Sequence, residues 1–191
     1  MAATVQIHEV TATNTGTDKS SGTVRFKAAD NVTVDTVDRL QIPAAGSIYS
    51  YTKHLRFYVS VAPSVDLQNL RSYSDGSNTF GTGVTVEYTL HTAFSANINT
   101  TISGTDVFTK TSGATIDMDA YNTGPHTGTG YKGDNLRLQM VIASTAAPGV
   151  LAAETLTFAY ILLCALIWKH ILKNSVNCWK TLKFGQSAAK L

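Results

Sequence analysis

The sequence predicts an all-β fold, a single β-sandwich of jelly-roll type. Three observations carry this. Several segments alternate apolar and polar residues with period two; in one, Leu136, Leu138, Met140 and Ile142 share a face and Arg137 and Gln139 take the other. Such alternation marks half-buried strands. Clusters of Gly, Pro, Asn, Asp and Ser punctuate the chain at short intervals, as turns do. Charged residues make up only 15%, and Thr, Val and Tyr are frequent, a composition that suits sheets. A length of 191 residues fits one domain with an appendage, large enough to bury a core without staples.

The elements follow in order. Val5 to Thr13 reads as a first strand, with Val5 and Ile7 opposed to Gln6 and His8. Asn14–Gly22 is a loop by composition. Thr23 to Ala28 alternates again, and Asp30-Asn31 turns the chain. Thr33 to Ile42 reads as a strand of poorer periodicity, closed by a turn at Pro43–Gly46. Ser47 to Val61 is strongly β, with Leu55, Phe57, Val59 and Val61 on one face, and Pro63 ends it, because proline cannot donate to a ladder. Asp66 to Tyr73 is a short segment of ambiguous type. Val84 to Leu90 alternates cleanly. Thr92–Gly113 is an exposed excursion with short strands near Ile98–Ile102 and Val107–Lys110. Ala114 to Tyr121 holds one more short strand, and Asn122–Asp134, with four glycines and one proline, reads as a long flexible loop. The stretch from Asn135 to Tyr160 is then expected to form a hairpin that closes the sandwich, turning at Pro148-Gly149.

After Tyr160 the chain changes character. Up to that residue there are ten Lys and Arg against thirteen acids, a balance of −3; from Ile161 onward five lysines stand alone. Both cysteines (Cys164, Cys178) and both tryptophans (Trp168, Trp179) lie in this tail. Residues 1–160 are therefore assigned to the sandwich and 161–191 to a C-terminal extension, apolar and basic. The run from Leu156 to Trp168 is shorter than the roughly 20 residues of a membrane span, so no membrane is expected. A helix over about Ile161 to Asn174, docked on the same or a neighbouring subunit, is expected instead; prolongation of the last strand through Leu163 is the alternative. The first residues show neither a basic nor an apolar leader segment, so no secretory signal is expected.

Candidate chemistry is sparse. Asp117 and Asp119, two apart, would share a strand face and could approach Ca²⁺, but a solvated face is the expected reading. Asp75-Gly76-Ser77-Asn78 lacks the ligand pattern of a calcium loop and reads as a turn. His8, His54, His91 and His126 are scattered, with no metal-binding spacing. The first 160 residues contain no cysteine, so neither disulfides nor a thiolate metal site are expected there. Gly128-Thr129-Gly130 precedes no helix and cannot cradle a phosphate. No nucleophile elbow is present. The expectation is a protein with no catalytic, cofactor-binding or metal-binding residues and no cofactor. Tyr49, Tyr51, Phe57, Tyr58, Tyr73 and Phe80 could instead line a glycan-binding surface, against the expectation that they pack in the core or at an interface. The pairs Arg25 with Lys27 and Arg56 with Arg71 are too few for a nucleic-acid patch, and the net charge is only +2.

Two stretches resemble a family of tailed-bacteriophage virion structural proteins. The first runs Asp66-Leu-Gln-Asn-Leu-Arg-Ser-Tyr-Ser-Asp-Gly-Ser-Asn and continues into Phe80-Gly-Thr-Gly-Val84. The second is Leu138-Gln-Met-Val-Ile-Ala-Ser-Thr-Ala-Ala-Pro-Gly149 with Glu154-Thr-Leu-Thr-Phe-Ala-Tyr160. The likeness covers about residues 66–160 and is more specific in the second stretch. It stops at Tyr160, which would suit a fused extension or a shifted reading frame. The resemblance implies a virion component, first of all a capsid decoration (cement) protein on the capsid surface. It would be made in the host cytoplasm and bind the major capsid protein or other virion proteins. A symmetric homo-oligomer such as a trimer would multiply weak contacts, and Asn14–Gly22, Thr92–Gly113 and Asn122–Asp134 are the expected contact loops. The alternatives are a neck or tail structural protein and a glycan-binding module for host adsorption.

Overall fold

The computed structural model describes residues 3–11, 15–33, 37–149, 152–163 and 175–185, the last as a backbone strand. Two sheets face each other as a sandwich, and among the described residues there is no α-helix. The first sheet contains β1 (Thr4–Val10), β2 (Gly16–Asp18), β4 (Ser47–Tyr49), β5 (Lys53–Val61), β7 (Val84–His91), β8 (Thr105–Asp106) and β10 (Gly130–Ala143), in the order β2-β1-β5-β10-β7-β8 with β4 also on β10. The second contains β3 (Thr23–Arg25), β6 (Asp66–Ser74), β9 (Ile116–Asp117), β11 (Glu154–Leu163) and β12 (Ser175–Gly185), in the order β3-β12-β11-β6-β9. All pairings are antiparallel except that of β12 with β3.

The alternation read from the sequence sets the inner faces. Leu55, Phe57 and Val59 of β5 and Leu136, Leu138 and Met140 of β10 are fully buried, as are Leu67 and Leu70 of β6 and Leu156 and Phe158 of β11. The rings of Phe57 and Phe158, from opposite sheets, meet edge to face with centroids 5.5 Å apart. Each such side chain contributes about 1.5–3 kcal/mol by leaving water. Three charges share this inner space. Glu9 continues the inward row of Val5 and Ile7 and is 1% exposed; Lys53 Nζ lies 3.0 Å and Lys19 Nζ 3.5 Å from its carboxylate. The two ammonium groups also donate to the carbonyls of Asn31 and Val32. A buried carboxylate needs this compensation, and here it ties the 31–32 segment to β1 and β5.

The expected hairpin at Asn135–Tyr160 does not form. β10 and β11 belong to different sheets, and the connection between them crosses the sandwich. Alternating strands fit a hairpin and a crossover equally well. The distinction lies in the connection, which is ten residues long (144–153) against the two to five of most hairpin loops. With it, the apolar rows of the two strands face each other across the core instead of lying side by side.

Other expectations are corrected locally. Ser47 to Val61 is broken into β4 and β5, because Ser50 Oγ takes the Met140 amide in place of a ladder bond. The ambiguous Asp66–Tyr73 segment is β6. The Asn14–Gly22 loop contains β2. Of the Thr33–Ile42 strand, the described residues form none, and Val34 lies outside them. Ile98–Ile102 forms no strand, and Val107–Thr109 is a 3₁₀ turn capped by Asp106, whose carboxylate accepts from Phe108 N. The first three residues of the helix expected over Ile161–Asn174 are the end of β11; residues 164–174 lie outside the described residues. Beyond them the chain returns as β12, inserted between β3 and β11. Among the described residues no helix is long and apolar enough to cross a membrane.

Candidate functional site

The outer face of the larger sheet is covered rather than solvated. Residues 92–104 run across it and are fastened by side chains that the strands send outward. Gln139 of β10 holds this segment from both ends of its amide: Oε1 accepts from Ile102 N, and Nε2 donates to the carbonyls of Ser50 and Thr100. Thr52 exchanges two bonds with Ile98, and Glu87 of β7 accepts from Gly104 N. Phe94 lies against the His54 ring, with centroids 4.9 Å apart. Polar residues on a strand read as solvent-facing; here they bond the cover.

Beneath that cover four side chains converge. His54 of β5 is register-paired with Arg137 of β10, and Asn135 of β10 with His91 of β7. Residues directly opposite on antiparallel strands share a face, as do residues two apart on one strand, so the four form one contiguous patch. His54 and Asn135 are fully buried and Arg137 is 9% exposed. Burial, with Arg137, His91 and Arg56 adding positive charge, pushes the His54 pKa down to about 3. Burial and Arg137 also lower that of His91.

A second cluster on the same face joins β1, β5 and β10. His8 stacks on Tyr58 with centroids 4.2 Å apart, Tyr131 meets both rings edge-on, and the Arg56 guanidinium lies 5.0 Å over Tyr131. The ring faces are turned largely on one another.

Asp119 and Asp134 organise the 119–134 segment. Asp119 accepts from Leu70 N and from His126 Nε2 at 2.7 Å. Asp134, fully buried, accepts from Tyr121 N, Asn122 N and Asn122 Nδ2. The loop read as flexible is thus tied at both ends, and its last residues belong to β10. Asp117 accepts from Asp119 N, so both carboxylates considered for Ca²⁺ are engaged with backbone. Nearby, a cleft of about 240 Å³ is lined by Asn69, Arg71, Tyr73, Thr115, Ala159 and Ile161. Asn69 adopts φ 61° at a bulge between β6 and β11, and its Oδ1 accepts from Arg71 Nε and Nη2.

No protein-family model matches this chain, and no curated protein is significantly similar to it. The site therefore rests on its own geometry. Among the described residues no three His, Cys, Asp or Glu side chains come together as a metal site would require. The four histidines stay in separate environments except His54 and His91. Of the aromatic residues considered for glycans, Phe57 and Phe80 are core, Tyr58 is stacked on His8, and Tyr73 lies in the cleft on the other sheet, so these four form no common surface. Arg25, Arg56 and Arg71 lie on β3, β5 and β6, and Lys27 is buried with its ammonium on Asn31 Oδ1. Sequence reasoning missed the His54–His91–Asn135–Arg137 patch because only strand register assembles it. The signal that could have found it was the run Asn135-Leu-Arg137 against His54 and His91, all polar at outward positions.

The stretches Asp66–Val84 and Leu138–Tyr160 touch. Ala143 N donates to Gly83 O at 2.8 Å. Gly83 has φ 77°, and a Cβ there would lie 2.7 Å from Ala146 N. Glu154, at the start of β11, accepts from Thr79 N. Gly83 thus makes room for the crossover at Thr145–Ala146.

Proposed function

We propose that this chain is a structural subunit of a tailed-bacteriophage virion, a capsid decoration protein that binds the major capsid protein on the outside of the head and stabilises it. The observation that carries the reading is that the two resembling stretches form a single unit, the turn at Phe80–Val84 locked against the β10–β11 crossover. A likeness confined to residues that must pack together is a likeness of architecture. The polar side chains add support, because Gln139, Glu87, Asp119, Asp134 and Glu154 are spent on fixing loops. A cement needs rigid surfaces of this kind and performs no chemistry.

Docking would use loops and faces in preference to edge pairing. Both sheets end on strands of two or three residues. Along β6 the exposed ladder groups are taken by Met118 N, His126 and Lys110. Short, capped edges are poor templates for another chain. Self-association into a trimer would supply the avidity that face-to-face contacts lack. Heads assembled without this protein should rupture at a lower temperature than complete heads, and adding the purified protein back should restore the difference. Unchanged rupture would overturn the reading, and immunogold label at the neck or tail in place of the head would move the protein there.

A further inference from the structure

The patch beneath residues 92–104 has a feature that a structural role alone leaves unexplained. Both ring nitrogens of His54, both polar atoms of the Asn135 amide and Nε of Arg137 are buried without a hydrogen-bond partner. Ser95 Oγ, next to Phe94 in the covering segment, is in the same condition. Orphaned buried donors are rare in folded proteins, and each costs about 1–3 kcal/mol when left unpaired. The five atoms of His54, Asn135 and Arg137 belong to one patch of the sheet, and Arg137 as a residue is only 9% exposed. Arg137 has no carboxylate at ion-pair distance among the described residues. A buried cation of this kind calls for a compensating anion.

The donor set is specific. Arg137 brings a fixed fork, neutral His54 one N–H, Asn135 an amide NH₂, and His91 its Nδ1, with Nε2 3.1 Å from Thr89 Oγ1. The charged groups around His54 are Arg137 on β10, His91 on β7 and Arg56 on β5, all positive or able to become so. The nearby carboxylates serve elsewhere: Asp134 holds Tyr121 and Asn122, and Glu87 holds Gly104. Unpartnered donors, a buried guanidinium with no carboxylate at ion-pair distance, and a cover one side of which reaches solvent through half-buried His91 together suit an oxyanion.

We propose that His54, His91, Asn135 and Arg137 form a binding site for one small free oxyanion, phosphate or sulfate. The anion accepts from the Arg137 guanidinium and the Asn135 amide, and from the two imidazoles. It completes the outer face of the larger sheet and stiffens the 92–104 cover above it. This site does not depend on the virion reading; it would exist in any protein with this register.

The test uses the whole chain, in chloride buffer and in sodium phosphate at matched ionic strength. The histidine ring resonances of His54 and His91 should shift saturably with phosphate and not with chloride. The unfolding midpoint should rise with the logarithm of phosphate concentration above the dissociation constant. Arg137→Gln should weaken the saturable response at least about tenfold, since a charge-assisted fork is lost. Should that variant not fold, His91→Gln, at a half-buried position, should reduce the affinity while leaving the fold intact. Absence of a saturable shift in the wild type would overturn the site. So would a phosphate effect of equal size in the foldable variant, which would be general salting.

Discussion

His54 shows how far a single residue's behaviour is set by its neighbours. Its folded pKa of about 3 lies below the ordinary 6.5, through burial first and then the positive charge of Arg137, His91 and Arg56. The fold therefore prefers neutral His54, whereas the unfolded chain takes up the proton first as pH falls. This contribution to stability is complete above about pH 6.5 and is lost on acidification towards pH 3, by up to about 1.4 kcal/mol per pH unit. His91, shifted the same way, adds to the loss. In phosphate-free buffer, denaturant unfolding between pH 7 and pH 5 should show this slope in the wild type and a shallower one in His54→Gln. Equal slopes would mean that His54 is solvated. None of this was visible in the sequence, where His54 was one of several isolated histidines. The inward Glu9 was equally hidden, since period two assigned its face but gave no hint of Lys19 and Lys53.

At the scale of elements, the crossover between β10 and β11 decides the architecture, and Gly83 is its tightest point. An alanine there would meet Ala146 N at 2.7 Å while holding φ 77°. A left-handed non-glycine residue costs about 1–2 kcal/mol by itself, and the clash with backbone adds to it. Gly83→Ala should lower stability by more than about 2 kcal/mol, whereas Gly46→Ala, also at positive φ but with open space around it, should pay the conformational cost alone. Chemical denaturation of both variants measures the difference; equal losses would mean that the Gly83 contact relaxes freely. The strands on either side were legible because their alternation is strict. Their partners were not, because a crossover and a hairpin present the same pattern along the chain. The 92–104 cover escaped for a related reason: Thr- and Asn-rich composition reads as exposed, and only the Gln139 and Thr52 bonds draw it onto the sheet.

For the whole molecule, the segment after Tyr160 matters most. The sequence sets it apart by charge, Cys and Trp usage, yet β12 lies within the smaller sheet, register-paired with β11 from Glu154 to Leu163 and with β3 from Thr23 to Arg25. Ending the chain after Leu163 would leave β3 without its neighbour and turn the whole of β11 into a free edge, which invites association. The truncated chain should lose the cooperative unfolding transition and sediment as aggregates. A monomer that unfolds at the wild-type midpoint would show that β12 is dispensable. Such an outcome would also return the extension to the separate status that its composition suggests.

The sequence by itself determined the all-β class, the sandwich, most strand positions and the apolar rows that fill the core. These depend on the period-two relation between neighbouring residues, which is local. The tertiary structure alone decided which strands pair, that β10 and β11 face each other across the core, that β12 enters the sheet, and that His54, His91, Asn135 and Arg137 meet. These are questions of how distant segments meet, 44 residues apart for His91 with Asn135 and 83 for His54 with Arg137, and register is fixed by the burial of whole faces and the length of connections. A residue's type and its immediate neighbours carry no record of it.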